Sequence, residues 1–390
     1  MPSKHARLNC SSSSRWINCS GSIRLGEQFP QTSSIYADEG TLAHATLEAL
    51  IKGDAEAYTR VQNKAIDFYK KHPELDDSWG SINDNIGEMK NWLDGQLEAE
   101  KEKDPATQIY SEQQVNLTDY IPGGFGTTDV TIARTGFLHI VDLKYGKGVR
   151  VSAQDNSQLR LYALGMLEML DMIYDVKQIR MTIYQPRIEN ISTDEISASD
   201  LRAWGDEVIR PAAKLALTKD APFHAGSWCQ FCPARNTCRE RAEHNMELAS
   251  YMEKAVLSDK EIGEVLGRVD ELTKWADDLK ASALTKIQEG EEIPGWKVVE
   301  GRSIRKFVAP EKTLVSVAEK AGFAKPLLYE TRMLTLSQIE KLMGKKIFAE
   351  VMGDYVAKPA GKPTLAPESD KRPSIVGGNP ADVFAGEIDE

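Results

Sequence analysis

The chain has 390 residues, 41% of them hydrophobic and 27% charged, with a formal net charge of −11. That length supports two or three domains with a full core. The acidic balance excludes an overall basic coat for nucleic acid but leaves room for a local basic groove. No uncharged apolar run is long enough to span a bilayer, and the opening MPSKHARLNCSSSSRW has no apolar signal core. Membrane insertion and secretion are therefore not expected, and the cytoplasm is the expected compartment.

Residues 1–36 are Ser-rich and read as irregular. A helix is predicted from near Glu39, because EGTLAHATLEALIK spaces Leu42, Leu47 and Leu50 along one face. Residues 55–103 read as an insertion of polar helices anchored by Trp79 and Trp92. Three strands follow in IYSEQQVNL, TTDVTIA and FLHIVDLKY, with a tight turn at Arg134-Thr135-Gly136 between the last two. An amphipathic helix is predicted over 154–172, a strand over 177–185 and a helix over 199–219. That order implies an α/β or α+β fold with a mixed central sheet. After Cys238 the pattern is helical to about residue 289, then strand-like in GWKVVEGRSIRKFV, with short helices at 310–321 and 336–343. From Lys358 the chain is rich in Pro, Gly and acid, which predicts a disordered tail. The expected division is 1–254, 255–357 and 358–390.

The main catalytic signal is Asp129 with Asp142-Leu143-Lys144. A turn centred near Thr135 sets positions 129 and 142 opposite each other, where facing Cβ atoms lie about 4.5–5.5 Å apart. Alternation puts Asp142 and Lys144 on one face and Leu143 on the other. Two carboxylates this close repel, and a divalent cation resolves the conflict. Mg²⁺ suits such a site, since it takes a few carboxylates and keeps several waters. Lys144 then orients a water or stabilises charge on a phosphate. The blander alternative is an exposed hairpin with an ordinary Asp–Lys pair. Glu112, taken as the end of the first strand, is a further candidate acid. Lys147 and Arg150, in YGKGVRV, supply local positive charge for DNA phosphates.

Two further segments complete an ordered set: Gly40-x-x-x-His44 on the early helix and Gln158-x-x-x-Tyr162 on the helix after the hairpin. The succession G-x-x-x-H, D, D-x-K, Q-x-x-x-Y resembles the RecB-like branch of the PD-(D/E)XK nuclease superfamily over residues 36–190. It is also similar to phage and prophage proteins of that branch that share GFGTTDV…HIVDLKYGKGV…NSQLRLYALG. The resemblance implies a restriction-endonuclease-like core. It makes His44, Asp129 and Asp142 ligands of Mg²⁺ or Mn²⁺, with the Leu143 carbonyl a further ligand. Lys144 becomes the catalytic lysine, and Gln158 and Tyr162 supporting or DNA-facing groups. One departure is GTTD in place of a proline before Asp129.

The five cysteines are Cys10, Cys19, Cys229, Cys232 and Cys238. An odd count with three at C-x₂-C-x₅-C fits metal ligation better than disulfides. The fourth ligand is open on spacing alone: His244 gives a Cys₃His zinc site, whereas Cys19 or Cys10 gives a Cys₄ iron–sulfur site. Iron–sulfur nucleases of the AddB type, and the related CRISPR adaptation nucleases, place one cysteine before the G-x-x-x-H helix and three after the core. The resemblance thus implies a 4Fe-4S cluster on Cys19, Cys229, Cys232 and Cys238, with a structural role, and zinc as the lesser alternative.

The resulting expectation is a metal-dependent DNase, most simply an exonuclease of phage or prophage origin, with DNA and a phage recombination or replication protein as partners. No Walker A motif is present, so a motor would be a separate protein. The competing expectation is a non-catalytic DNA-binding scaffold that keeps the nuclease fold.

Overall fold

The computed structural model describes residues 6–30, 34–75, 77–247, 257–299, 309–322, 324–329 and 333–357. The tail at 358–390 lies outside the described residues, as does 300–308 of the strand-like piece, and the described 296–299 carry no strand.

A five-stranded mixed sheet forms the centre, with strands in chain order across it: β1 (Gln108–Asn116), β2 (Phe125–Arg134), β3 (Phe137–Leu143), β4 (Gln178–Gln185) and β5 (Asn190–Ser197). All neighbours are antiparallel except β3 and β4. Parallel neighbours need a long crossover, and the helix Ser157–Tyr174 supplies it. The sequence reading omits β5. Its NISTDEIS run has no apolar alternation, because it is a charged edge strand with one face in solvent.

Each face of the sheet carries its own core. On one face lie α1 (Ser13–Asn18), α2 (Ser22–Gly26), α6 (Ser157–Tyr174), α7 (Ala198–Trp204) and α8 (Arg210–Ala216). Leu138, Ile140, Ile179, Met181 and Ile183 point to this face. On the other lie α3 (Ile35–Lys52), α4 (Ala55–Lys71) and α5 (Trp79–Lys101), packed on Val130, Val141, Leu143 and Tyr184. Trp79 and Trp92 pack on this second core, as their anchoring role requires. β3 feeds both cores by alternation, which is why FLHIVDL is apolar almost throughout.

The first 36 residues are less irregular than expected. Trp16 of α1 is fully buried and donates its indole N–H to the Asn9 carbonyl, so this segment is part of the first core. Helix α6 is the spine of that core. A side chain at Gly165 would meet Val115 Cβ at 2.6 Å, so glycine lets α6 lie against β1. Truncating Leu167, which is fully buried, should cost about 2–5 kcal/mol.

Two more helices, α9 (Arg239–Met246) and α10 (Asp259–Gln288), follow the cysteine segment. Arg241 of α9 is wholly buried and pairs with Glu271 and Asp278 of α10. The chain forms two compact units that part between Glu292 and Ile293. The second unit contains α11 (Glu311–Lys320), α12 (Leu336–Met343) and α13 (Lys345–Met352). Among the described residues no helix is long and apolar enough to cross a membrane.

Candidate metal centre

The β2–β3 hairpin turns at Thr135-Gly136, with Gly136 at φ +77°, a left-handed position that glycine takes without strain. Register runs from Arg134↔Phe137 to Val130↔Val141 and there the pairing stops. The next opposed pair would be Asp129 and Asp142, as the sequence predicts. Instead the strands part, and the Asp129 carboxylate Oδ2 accepts the Leu143 N–H at 2.7 Å. A side chain thus replaces a rung of the ladder and opens a charged gap beside the sheet.

Several elements deliver side chains to that gap. From α3, His44 brings Nδ1 to 3.3 Å from Asp129 Oδ1 and 3.9 Å from Glu112 Oε1. One ligand atom from each of His44, Glu112 and Asp129 lies within 4.8 Å of the others. Glu112 does not end its strand. It sits mid-β1, between the pairs Ser111↔Val130 and Gln113↔Thr128, with φ +48°. A left-handed glutamate is uncommon and carries backbone strain of the kind stored at functional sites. Helix α6 is capped by Asn156, whose side chain accepts from the N–H groups of Gln158 and Leu159. That cap fixes Gln158, which donates to Asp142 Oδ1 at 3.2 Å and to the Tyr162 hydroxyl at 3.0 Å, while its oxygen accepts from Lys144 Nζ at 3.0 Å. Lys144 Nζ is also 2.9 Å from the buried Asp142 Oδ2. His44, Asp129, Asp142, Lys144, Gln158 and Tyr162 therefore share one corner, with Glu112 added. Leu143 keeps its side chain in the second core, so only its backbone faces the gap.

The electrostatics of this corner call for a cation. Burial, reinforced by Asp129, pushes the Glu112 carboxyl up to about 7. Burial also raises Asp142, with Asp129 adding to it and Lys144 opposing. Burial alone would raise Asp129, but His44 and Lys144 outweigh it and hold that carboxyl low. Burial would lower both His44 and Lys144, yet the surrounding carboxylates win. His44 stands at about 9, and Lys144 is held above its ordinary value. Three carboxylates, Asp129 and Asp142 buried and Glu112 part-exposed, share two protonated bases, and Asp142 Oδ2 has only the Lys144 ammonium beside it. A hard divalent ion with oxygen and imidazole ligands fits that donor set.

The expected DNA-contact residues lie in the loop that follows Lys144. Lys147 is 57% exposed and 3.5 Å from Asp77, and Arg150 is exposed. Their loop is pinned by Gln185, which accepts from Val151 N and donates to the Val149 carbonyl.

The four cysteines at 19, 229, 232 and 238 line one small cavity of about 10 Å³. Cys10 lies elsewhere, against Gly126 and Tyr162, and His244 does not line the cavity. Among the described residues, no three thiols come within 4.8 Å of one another. Tetrahedral zinc with Zn–S bonds of about 2.3 Å would bring its thiolates to roughly 3.8 Å. Burial pushes the Cys229 thiol up to about 11 and raises Cys19, so these groups stay neutral without a cation. The wall of the cavity is suited to negative charge. The N–H groups of His224 and Gly226 point at Cys19 and Cys229 sulfur, each at 3.4 Å, and Arg15 Nε and Arg241 Nη2 are buried without hydrogen-bond partners. The four thiols thus share one cavity with donors aimed at two of their sulfurs.

A family model described as "Protein of unknown function (DUF2800)" matches residues 5–373, and the chain belongs to that family. A solved structure titled "Crystal structure of SSO0001" is similar at 14% identity over 46% of this chain and 82% of its own, with a TM-score of 0.22. At that score the likeness carries no argument about fold or chemistry.

Proposed function

We propose that this DUF2800 chain is a divalent-cation-dependent deoxyribonuclease of the RecB-like PD-(D/E)XK type. The observation that carries the reading is the parting of β2 and β3 at Asp129 and Asp142, which gathers carboxylates, a histidine and a lysine in one gap. The succession of a helix, three antiparallel strands, a crossover helix and a parallel strand supports it as well. His44, Glu112, Asp129, Asp142 and the Leu143 carbonyl would hold Mg²⁺ or Mn²⁺. When bound, the ion polarises a phosphodiester and lowers the pKa of a water.

The chain's own residues do the rest. Lys144 stays protonated because Asp142 and Asp129 outweigh its burial, so it offers a fixed positive charge to the phosphate. Gln158 holds Lys144, Asp142 and Tyr162 in one hydrogen-bonded set and so fixes the amine's direction. Lys147 and Arg150 steady the flanking phosphates. In the thiol cavity, Cys19, Cys229, Cys232 and Cys238 would hold a 4Fe-4S cluster that ties α1 to the segment before α9. The expected setting is the cytoplasm, with a phage recombination or replication protein as partner.

The test is a time course on end-labelled linear and closed circular DNA with Mg²⁺ or Mn²⁺. Metal-dependent loss of label from linear DNA is expected. Binding without cleavage under all conditions would replace this reading with the DNA scaffold.

A further inference from the structure

Away from the gap, on the second face, lies an ionic group that the chemistry above does not use. Arg187 sits in the 3-10 turn Pro186–Ile188 between β4 and β5. Its side chain is 6% exposed and bridges two buried carboxylates, Glu39 at 3% and Asp77 at 6%. The Glu39 contact is 2.7 Å, and the second guanidinium nitrogen donates to Asp77. The guanidinium also lies over the Tyr145 ring, 4.8 Å from its centre. Each partner is tied down in turn. Tyr69 donates to Glu39 at 2.8 Å, Asn85 of α5 donates to the Tyr145 hydroxyl at 3.2 Å, and Ser78 N donates to Asp77 at 2.9 Å.

Burying such a group is expensive, and well-packed apolar side chains of the same volume would hold these layers together at least as well. What an apolar cluster cannot do is fix registration, whereas the planar fork of arginine donates to two carboxylates at set angles. The elements it registers are those that carry the metal gap. Glu39 is five residues before His44 on α3, about 7.5 Å along the helix axis. Tyr145 directly follows Lys144, where β3 leaves the sheet.

We propose that Arg187 is a positioning residue: it sets α3, with His44, against the end of β3, with Lys144, so that the metal ligands meet across the gap. This rests on the metal reading above.

The test is Mn²⁺ affinity, by titration calorimetry without DNA, together with thermal unfolding of the full chain. Arg187→Met alone should unfold at lower temperature, because it leaves buried Glu39 without a cation and Asp77 with Lys147 alone. The triple variant Arg187→Met, Glu39→Gln, Asp77→Asn removes those charges and should regain most of the melting temperature. Its Mn²⁺ affinity should stay about tenfold below wild type, the scale seen when groups that orient metal ligands are lost. A triple variant that regains both stability and wild-type affinity would make the network purely structural and overturn the proposal. Arg187→Lys keeps the charge but not the fork. It should also bind Mn²⁺ several-fold more weakly, and unchanged affinity there overturns the proposal even if the triple variant does not fold. Wild-type protein that binds no Mn²⁺ would instead sink the metal reading, and this inference with it.

Discussion

The carboxylate gap and the thiol cavity are built by opposite strategies. The gap is assembled mostly from neighbours in one sheet. Its acids come from β1, β2 and β3, and a turn of two residues fixes the register that opposes Asp129 to Asp142. The thiol cavity joins Cys19 to cysteines that begin 210 residues later, and its walls come from α1 and the segment before α9. The first site is overfull of charge and depends on strand geometry. With the proposed cluster, the second would be a tie whose value lies in the length of chain it closes. The gap draws most of its groups from one sheet, whereas the cavity draws on segments far apart in the chain.

The largest effect expected from this contrast is on activity alone. The double variant Asp142→Ala, Lys144→Ala removes a carboxylate and its counter-ion together, so the net charge of the gap is unchanged. Cleavage should drop by at least ~10³-fold, the upper scale for lost electrostatic stabilisation, while circular dichroism melts stay close to wild type. Wild-type rates in that protein would refute the assignment.

Breaking the tie should do the reverse, with stability failing first. Anaerobically purified protein should be brown and contain iron and acid-labile sulfide. Cys19→Ser should bleach it as fully as Cys232→Ser, and each should lose up to about 5 kcal/mol in denaturant unfolding, the closure entropy of a loop this long. His244→Ala should change neither colour nor midpoint. Colourless protein with stoichiometric zinc lost on His244→Ala would move the site to the local Cys₃His set.

Smaller effects sharpen the gap itself. His44→Ala and Glu112→Gln should each raise the Mn²⁺ needed for half-maximal cleavage roughly tenfold. An unchanged requirement for Glu112→Gln would leave Asp142, not Glu112, as the ligand beside Asp129. The smallest effect belongs to His139, whose burial holds its imidazole at about 3. The unfolded chain protonates this group below pH 6.5 and the folded chain does not, so acidification from 6.5 towards 3 favours unfolding. His139→Gln should therefore lose less melting temperature than wild type between pH 6.5 and 4.5. Parallel losses would mean that the folded protein also takes up that proton.

The difference between the two regions also decides what could be read from the sequence. The hairpin register follows from Thr135-Gly136 and a period of two. The Asn156 cap and the apolar run of α6 put Gln158 and Tyr162 where spacing predicts. Glu112 was visible only as a strand acid, since nothing in SEQQV announces a left-handed glutamate opposite Asp129. β5 was missed because Asp194 and Glu195 suit an edge and break the apolar pattern. The Arg187 network left no trace at all. Its partners lie 148 and 110 residues away, beyond the reach of any periodicity.

The buried placement of Trp16 and Cys19 in the first core has a consequence for biosynthesis. On a ribosome adding about 5–20 residues per second, Cys19 emerges roughly 10–40 s before Cys229 is made. For most of that interval the α1 helix has no α6 to pack on, α8 follows only at residues 210–216, and the Cys19 thiol has none of its three partners. The last wall of the cavity, Arg241, arrives later still, and it is held only once α10 has been made. Loading of any cluster is thus confined to the finished domain, and a ribosome stalled anywhere before residue 229 leaves a chain with an open, oxidisable cysteine near its start.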